Sequence, residues 1–263
     1  MSYETVTLET DSRAVAWLTL NRPEKHNALN AQLIDDLRSA CRDINADKSI
    51  RVVVLTGKGE SFCAGGDLAW MKDQAKETRE EKIAGTQQLA SMLHDLDTLS
   101  KPLIGRINGQ AFGGGTGMIS VCDVPVGLKA TRFAVTDCSL GLVPATISPY
   151  VVARMGLANA RSYMYNAKPF TGEDAKRLGL LAEAVDDGML DEAVEKEIGY
   201  FLRCSPVAVE ASKKLAQFVA THGFEDNLVY TADRLADAWE TEDGQEGIRC
   251  FFAKETPWWQ QKK

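Results

Sequence analysis

The sequence predicts an α/β fold whose last part is helical only. Three observations carry this. Short β-branched runs such as RVVVLTG (51–57) end in glycine, as buried strands do. Stretches with apolar residues three and four apart alternate with those runs. Beyond roughly residue 190 the helical spacing continues with no strand signal between helices.

Each element follows in order. YETVTLET (3–10) alternates apolar and polar residues, as a half-buried strand does. DSRA (11–14) has turn chemistry, and VAWLTLN (15–21) reads as the returning strand of a hairpin. RPEKHNALN (22–30) is a loop. From Ala31 onward, Leu33, Ile34, Leu37, Cys41 and Ile44 share one helical face. KGESFCAGGDLAWM (58–71) reads as a loop entering a helix, and Ile83 to Leu99 carries another helical stripe. KPLIGRING (101–109) is a strand, and a glycine-rich stretch follows it. DVPVGL (123–128) and TRFAV (131–135) are two more short strands. Helical segments come next at 147–156, 157–167, 171–180 and 189–203. In SPVAVEASKKLAQFVA (205–220), Ser205 is the predicted N-cap and Pro206 the first helical residue. Two further helices fill Asn227 to Lys254.

The chain has 263 residues, 44% hydrophobic and 25% charged, enough for one large domain or a domain with an appendage. A net charge of −7 argues against nucleic acid or an anionic membrane as partner. Six scattered cysteines with no C-x-x-C, and three histidines far apart, make no zinc pattern. They read as reduced thiols of a cytoplasmic protein. The N-terminal MSYETVTLET lacks the basic and apolar regions of a signal peptide.

GQAFGGGTGMISVCD (109–123) places three glycines in a row ahead of an apolar run. Glycine allows the backbone to approach a ligand closely, and a helix start offers free N–H groups. A P-loop needs a following lysine, which is absent. A dinucleotide fingerprint fails because the sixth position is Met118 from Gly113 and Ser120 from Gly115. A hydrolase elbow fails because DCSLG has Asp137 in its first slot. Two readings remain: a tight helix–strand crossing, or close backbone approach with one or two N–H donors. FCAGGDLAWM (62–71) is a second turn of the same kind, with Gly65 and Gly66 before a helix. Two such turns could each offer one N–H to the same carbonyl oxygen, as enolate chemistry requires.

In this order, LNRPEKHNALN, SFCAGGDLAWM, PLIGRINGQAFGGGTGMISVCDV, FAVTDCSLGLVP, GEDAKRLGL and GIRCFFAKETP resemble the crotonase (enoyl-CoA hydratase/isomerase) superfamily across essentially the whole chain. The resemblance implies a superhelix of ββα turns over 1–200 that holds an acyl-CoA site. It also implies a helical C-terminal region over 201–263 that forms homotrimers, usually paired as hexamers. The backbone N–H groups of Gly66 and Gly114 would form an oxyanion hole for a thioester. Ala64, Asp67 and Leu68 would lie along adenine and pantetheine. Lys25 would meet CoA phosphate or ribose. Lys254, near Phe251, would do so too, from a neighbouring subunit. A solvated surface charge accounts for either lysine equally well. Trp70 and Met71 would face the acyl pocket, although an apolar helix stripe also explains them. Coenzyme A arrives as part of the substrate, with no separate cofactor and no metal.

The chain departs from the family pattern at two places. Hydratases with two carboxylates carry a glutamate where this chain has Gly117. Their second glutamate corresponds to Asp137, one methylene shorter. Asp137, with Val135, Leu140, Leu142 and Val143 around it, becomes the general acid–base candidate; capping of a turn is the plainer role. The aspartate that dehalogenases and dienoyl-CoA isomerases use later in the chain corresponds to Ala145. GLVPATISPYVVARMG (141–156), with glycine at 117, is most similar to the bacterial methylglutaconyl-CoA hydratase-like branch. The resemblance thus implies hydration of a short or branched 2-enoyl-CoA. A Δ3/Δ2 enoyl-CoA isomerase and a catalytically weak acyl-CoA-binding homologue are the alternatives.

Overall fold

The computed structural model describes residues 3–261. A hairpin opens the fold: β1 (Val6–Thr10) pairs antiparallel with β2 (Val15–Leu20). Its turn closes on Asp11, whose carboxylate accepts the N–H groups of Arg13 and Val15 at 2.8 and 3.1 Å. Helix α1 (Ala31–Ala46) starts where Asn30 accepts the Leu33 N–H. It buries Leu33, Ile34, Leu37, Cys41 and Ile44, the face that the spacing predicts.

From β3 (Val52–Gly57) the chain repeats one pattern: a strand in a large sheet, then a short strand in a small one. β4 (Ser61–Cys63) follows β3 and leads into α2 (Leu68–Gln74) and α3 (Arg79–Asp97). β5 (Leu103–Ile107) is followed by β6 (Gln110–Phe112) and α4 (Gly114–Ser120). β7 (Val124–Leu128) is followed by β8 (Arg132–Ala134) and α5 (Ser148–Met164), which kinks at Gly156. β9 (Phe170–Thr171), α6 (Gly172–Arg177), β10 (Glu183–Val185) and α7 (Leu190–Leu202) complete this part. The large sheet has the order β1-β2-β3-β5-β7-β10 and the small one β4-β6-β8-β9. All pairings are parallel except β1–β2 and β8–β9.

β6, β9 and β10 have no counterpart among the predicted elements, and β4 matches only the strand-like start of FCAGGDLAWM. Each has two or three residues, too few to show a period of two, and their partners lie far along the chain. β3 reads as a continuous apolar run because both of its faces are covered. Val53 and Leu55 face the main core with Leu18, Phe62, Met92 and Phe133. Val52 and Val54 face the other side, under Leu190, Val194 and Ile198 of α7.

α8 (Pro206–Val219), α9 (Phe224–Glu240) and α10 (Glu242–Ala253) contain no strand and pack on one another. Ser205 accepts the Ala208 N–H, the predicted cap, and Pro206 is the first helical residue. Arg51 joins this region to the sheets: its guanidinium donates to the carbonyls of Leu202 and Cys204 at 2.9 Å and Trp259 at 3.0 Å. An apolar groove of about 420 Å³ runs between the three helices, lined by Val207, Ala211, Leu235, Trp239, Ile248 and Trp259. All six cysteines are free, four of them buried. No helix among the described residues is long and apolar enough to cross a membrane.

Candidate active site at two glycine turns

The first turn is held by the loop before α1. Asn27 is fully buried; its side chain donates to Lys58 O and Ser61 O at 3.0 and 2.8 Å and accepts the Arg22 N–H. Leu29 then forms an isolated parallel bridge with Gly66. Its N–H donates to Gly65 O at 2.7 Å, and its carbonyl accepts the Asp67 N–H at 2.8 Å. In a parallel bridge both bonds of one residue go to the neighbours of the other. Gly66 therefore points its own N–H away from Leu29.

Asp67 ends the turn. One carboxylate oxygen accepts Ala69 N–H and Trp70 N–H and caps α2; the other accepts from Arg22 at 2.9 Å. The Arg22 hydrogen bond holds this carboxyl below the ordinary range. The Asp67 carboxylate is thus fully engaged within the protein.

The second turn lies beside the first because β4 and β6 pair. Gly113, at φ 47° and ψ −115°, has a conformation that favours glycine, and its N–H donates to Ala134 O at 2.9 Å. Gly114 opens α4. A Cβ at residue 115 would sit 2.4 Å from the Cys63 carbonyl oxygen, so the two turns meet backbone to backbone. A Cβ at Gly114 would sit 2.5 Å from Leu29 Cδ1. Leu29 therefore touches both turns, through its main chain at Gly66 and its side chain at Gly114. Among the described residues, neither Gly66 N–H nor Gly114 N–H donates to a protein acceptor.

Asp137 opens a short 3-10 helix, Asp137–Leu140, immediately after β8 and Thr136. Its Oδ2 is buried and has no hydrogen-bond partner among the described residues. The position of a Cβ on Gly113 lies 3.7 Å from that oxygen. Burial, opposed only by a main-chain hydrogen bond, raises this carboxyl above its ordinary value. The apolar surroundings expected for it need correction. Val135 is buried, but Leu140, Leu142 and Val143 are 59%, 53% and 72% exposed. They follow the turn outward, because the chain must leave the small sheet to reach α5.

Gly117 lies one turn further along α4. A Cβ there would sit 2.3 Å from Ile147 Cγ2 and 2.9 Å from Ile147 Cβ. Ile147 thus fills the space beside the position where two-carboxylate hydratases carry their first acid.

The remaining predicted residues are placed as follows. Met71 Sδ lies 2.9 Å from where a Cβ on Gly66 would be, so its thioether covers that glycine. Trp70 is half-buried and packs on the core. Ala64, half-buried, donates its N–H to His26 O at 3.0 Å. Leu68 is 82% exposed. Lys25 is exposed at the end of the 3-10 turn Pro23–Lys25. Phe251 is exposed on α10, and Lys254 is exposed at the C-cap of that helix, which packs against α8 and α9. No hydrogen bond among the described residues joins either of them to a glycine turn. Sequence reasoning missed Leu29 and Ile147. Leu29 was legible only as an apolar residue inside a loop, and no local pattern marks Ile147.

The family model for enoyl-CoA hydratase/isomerase matches residues 10–262. The chain belongs to the enoyl-CoA hydratase/isomerase family. It is 29% identical to the crotonyl-CoA hydratase of Syntrophomonas wolfei, over 97% of both chains. The crystal structure of an enoyl-CoA hydratase from Shewanella pealeana superposes with a TM-score of 0.93 at 32% identity, over 98% of this chain and 97% of that one. Pseudomonas aeruginosa AtuE gives a TM-score of 0.95 at 32% identity, over 98% of this chain and 100% of that one. The α/β spiral is thus the crotonase fold, and the chain is an enzyme of the hydratase/isomerase family.

Proposed function

We propose that this enzyme hydrates a short or branched 2-enoyl-CoA, of the methylglutaconyl-CoA kind, through a thioester enolate. One observation carries this reading: a buried, unpartnered Asp137 carboxylate oxygen lies against the glycine turn whose next amide is free. In the reaction, the N–H groups of Gly66 and Gly114 hold the thioester oxygen. Asp137 takes a proton from water as the water oxygen bonds to the β-carbon. The π electrons move onto the thioester oxygen, and Asp137 then returns the proton to the α-carbon. Each donor on the developing oxyanion contributes ~10²–10³ in rate. Ala64, Leu68 and Lys25 lie along the CoA moiety, and Trp70 and Met71 bound the acyl chain.

The test is the loss of enoyl-thioester absorbance across a panel of short and branched 2-enoyl-CoAs, a 3-methylglutaconyl thioester included. No turnover with any of them sinks the proposal. A second reading, Δ3/Δ2 isomerisation, draws on the absence of an acid at Gly117. One carboxylate suffices to move a proton between the α- and γ-carbons. Solvent deuterium entering the acyl chain without net hydration selects it.

We further propose a homotrimer or hexamer, with Phe251 and Lys254 completing a neighbouring subunit's site. Support comes from the apolar side chains that α9 and α10 leave exposed, among them Leu228, Val229, Phe251 and Phe252.

A further inference from the structure

Gly113 is the N-cap of α4 and Gly117 lies four residues on, where its N–H donates to Gly113 O at 3.1 Å. Position 113 faces Asp137 Oδ2 at 3.7 Å, measured from where its Cβ would be. Position 117 faces Ile147, with Cγ2 at 2.3 Å and Cβ at 2.9 Å, and Leu93 Cδ2 at 3.7 Å. One helical turn rises about 5.4 Å, so a side chain at 117 would start about one turn from the glycine that borders Asp137 Oδ2. It cannot grow while Ile147 is present. The atoms in the way are the β-branched stem of a side chain only 2% exposed, and that stem has little freedom to turn. The Ile147 carbonyl also accepts the N–H groups of Tyr150 and Val151 at the start of α5, which anchors its main chain.

We propose that Ile147 determines the reaction specificity of this site: it fills the volume that a side chain at 117 needs and so restricts the enzyme to chemistry with one carboxylate. Gly117 and Ile147 then form a matched pair, and an acid enters only when both change. The proposal rests on Asp137 being the acid–base group. With that group alone, every proton taken up from water or from carbon must leave by the same carboxylate. A second carboxylate would let one group position water while the other protonates carbon, which favours hydration over isomerisation.

The experiment compares the wild type with G117A, G117E, I147G and G117E/I147G. Gly→Ala inside a helix ordinarily raises the melting temperature. Here G117A lowers it by a few degrees. G117E lowers it further, and I147G in the double variant recovers part of the G117E loss. In the folded double variant, the ratio of hydration to deuterium exchange rises about ten-fold or more over that of I147G. A G117A protein that melts higher than the wild type overturns the packing argument, even if I147G does not fold. A folded G117E/I147G protein with an unchanged ratio overturns the specificity argument. Failure of the underlying reading gives a different result: Asp137→Asn then keeps full activity in the wild-type background, whatever the melting temperatures show.

Discussion

The fold treats helix α4, built of small residues with Met118 and Ile119, and the apolar-rich helices α8 and α9 in opposite ways. In α4 every residue from Gly115 to Ser120 is buried. α8 and α9 bury none of theirs fully, and Leu228, Val229, Leu235 and Trp239 are more than half exposed. The α4 segment is small and close-packed, held at backbone contact with Cys63 and under Leu29 and Ile147. Polar contacts tie the C-terminal region to the spiral: Lys213 of α8 meets Asp123 at 2.7 Å, and Arg51 holds the carbonyls of Leu202, Cys204 and Trp259 that flank these helices. The difference separates two uses of apolar surface. Around the glycine turns it places main-chain donors and one carboxylate. On the C-terminal helices it remains available to another surface.

The largest effect expected from breaking this contrast is chemical. Asp137→Asn should lower kcat/KM by ~10²–10⁴ while leaving the melting temperature near or above the wild-type value. The pH dependence sharpens the point. Burial raises the folded-state pKa of Asp137 above its unfolded value. The native state is therefore favoured while the carboxyl is protonated, and that advantage fades as pH rises through the raised value. The base form appears over the same range. The acid limb of the kcat/KM profile should then sit above the ordinary carboxylate range, and the pH dependence of stability should flatten in Asp137→Asn. An acid limb in the ordinary range breaks the assignment.

The next effect is steric. Gly115→Ala should cost about 1–3 kcal/mol, because its Cβ meets a main-chain oxygen that cannot rotate away. Gly199→Ala in α7, where nothing lies within 4 Å, should instead stabilise by about 0.4–1 kcal/mol. Denaturant midpoints of the two variants check the opposite signs. On the C-terminal helices, Leu228→Glu should change the unfolding free energy of the monomer by no more than about 0.5 kcal/mol. It should reduce the solution mass measured by light scattering. An unchanged mass would break the idea that this face is a subunit contact. The smallest effect belongs to Lys25→Ala. KM for a CoA thioester should rise a few-fold at low ionic strength, and the difference should vanish in high salt.

Much of the fold was legible residue by residue. The hairpin, α1 with its buried stripe, β3 and the Ser205 cap all follow from period and capping chemistry. The site was legible in part. The two glycine turns stand out because so much backbone freedom is costly to place without a reason, whereas Asp137 was singled out by the family resemblance, turn capping being its plainer reading. Leu29 does not stand out, since nothing local shows that one loop residue will hold Gly66 by its main chain and cover Gly114 with its side chain. The exposure of Leu140, Leu142 and Val143 is hidden for the same reason: apolar identity alone does not say which way a loop turns.

By itself the sequence determined the local periods, the caps and the two glycine-rich turns. These depend on residues within a few positions of one another, whose steric and hydrogen-bonding preferences act over one helical turn or one strand. The tertiary structure alone decided that β4 pairs with β6, that both turns meet at Leu29, that Asp137 Oδ2 is buried without a partner, and that Ile147 fills the space beside Gly117. Those contacts join residues about thirty to eighty-five positions apart. They form only when parallel sheet pairing and core packing bring distant segments into one volume.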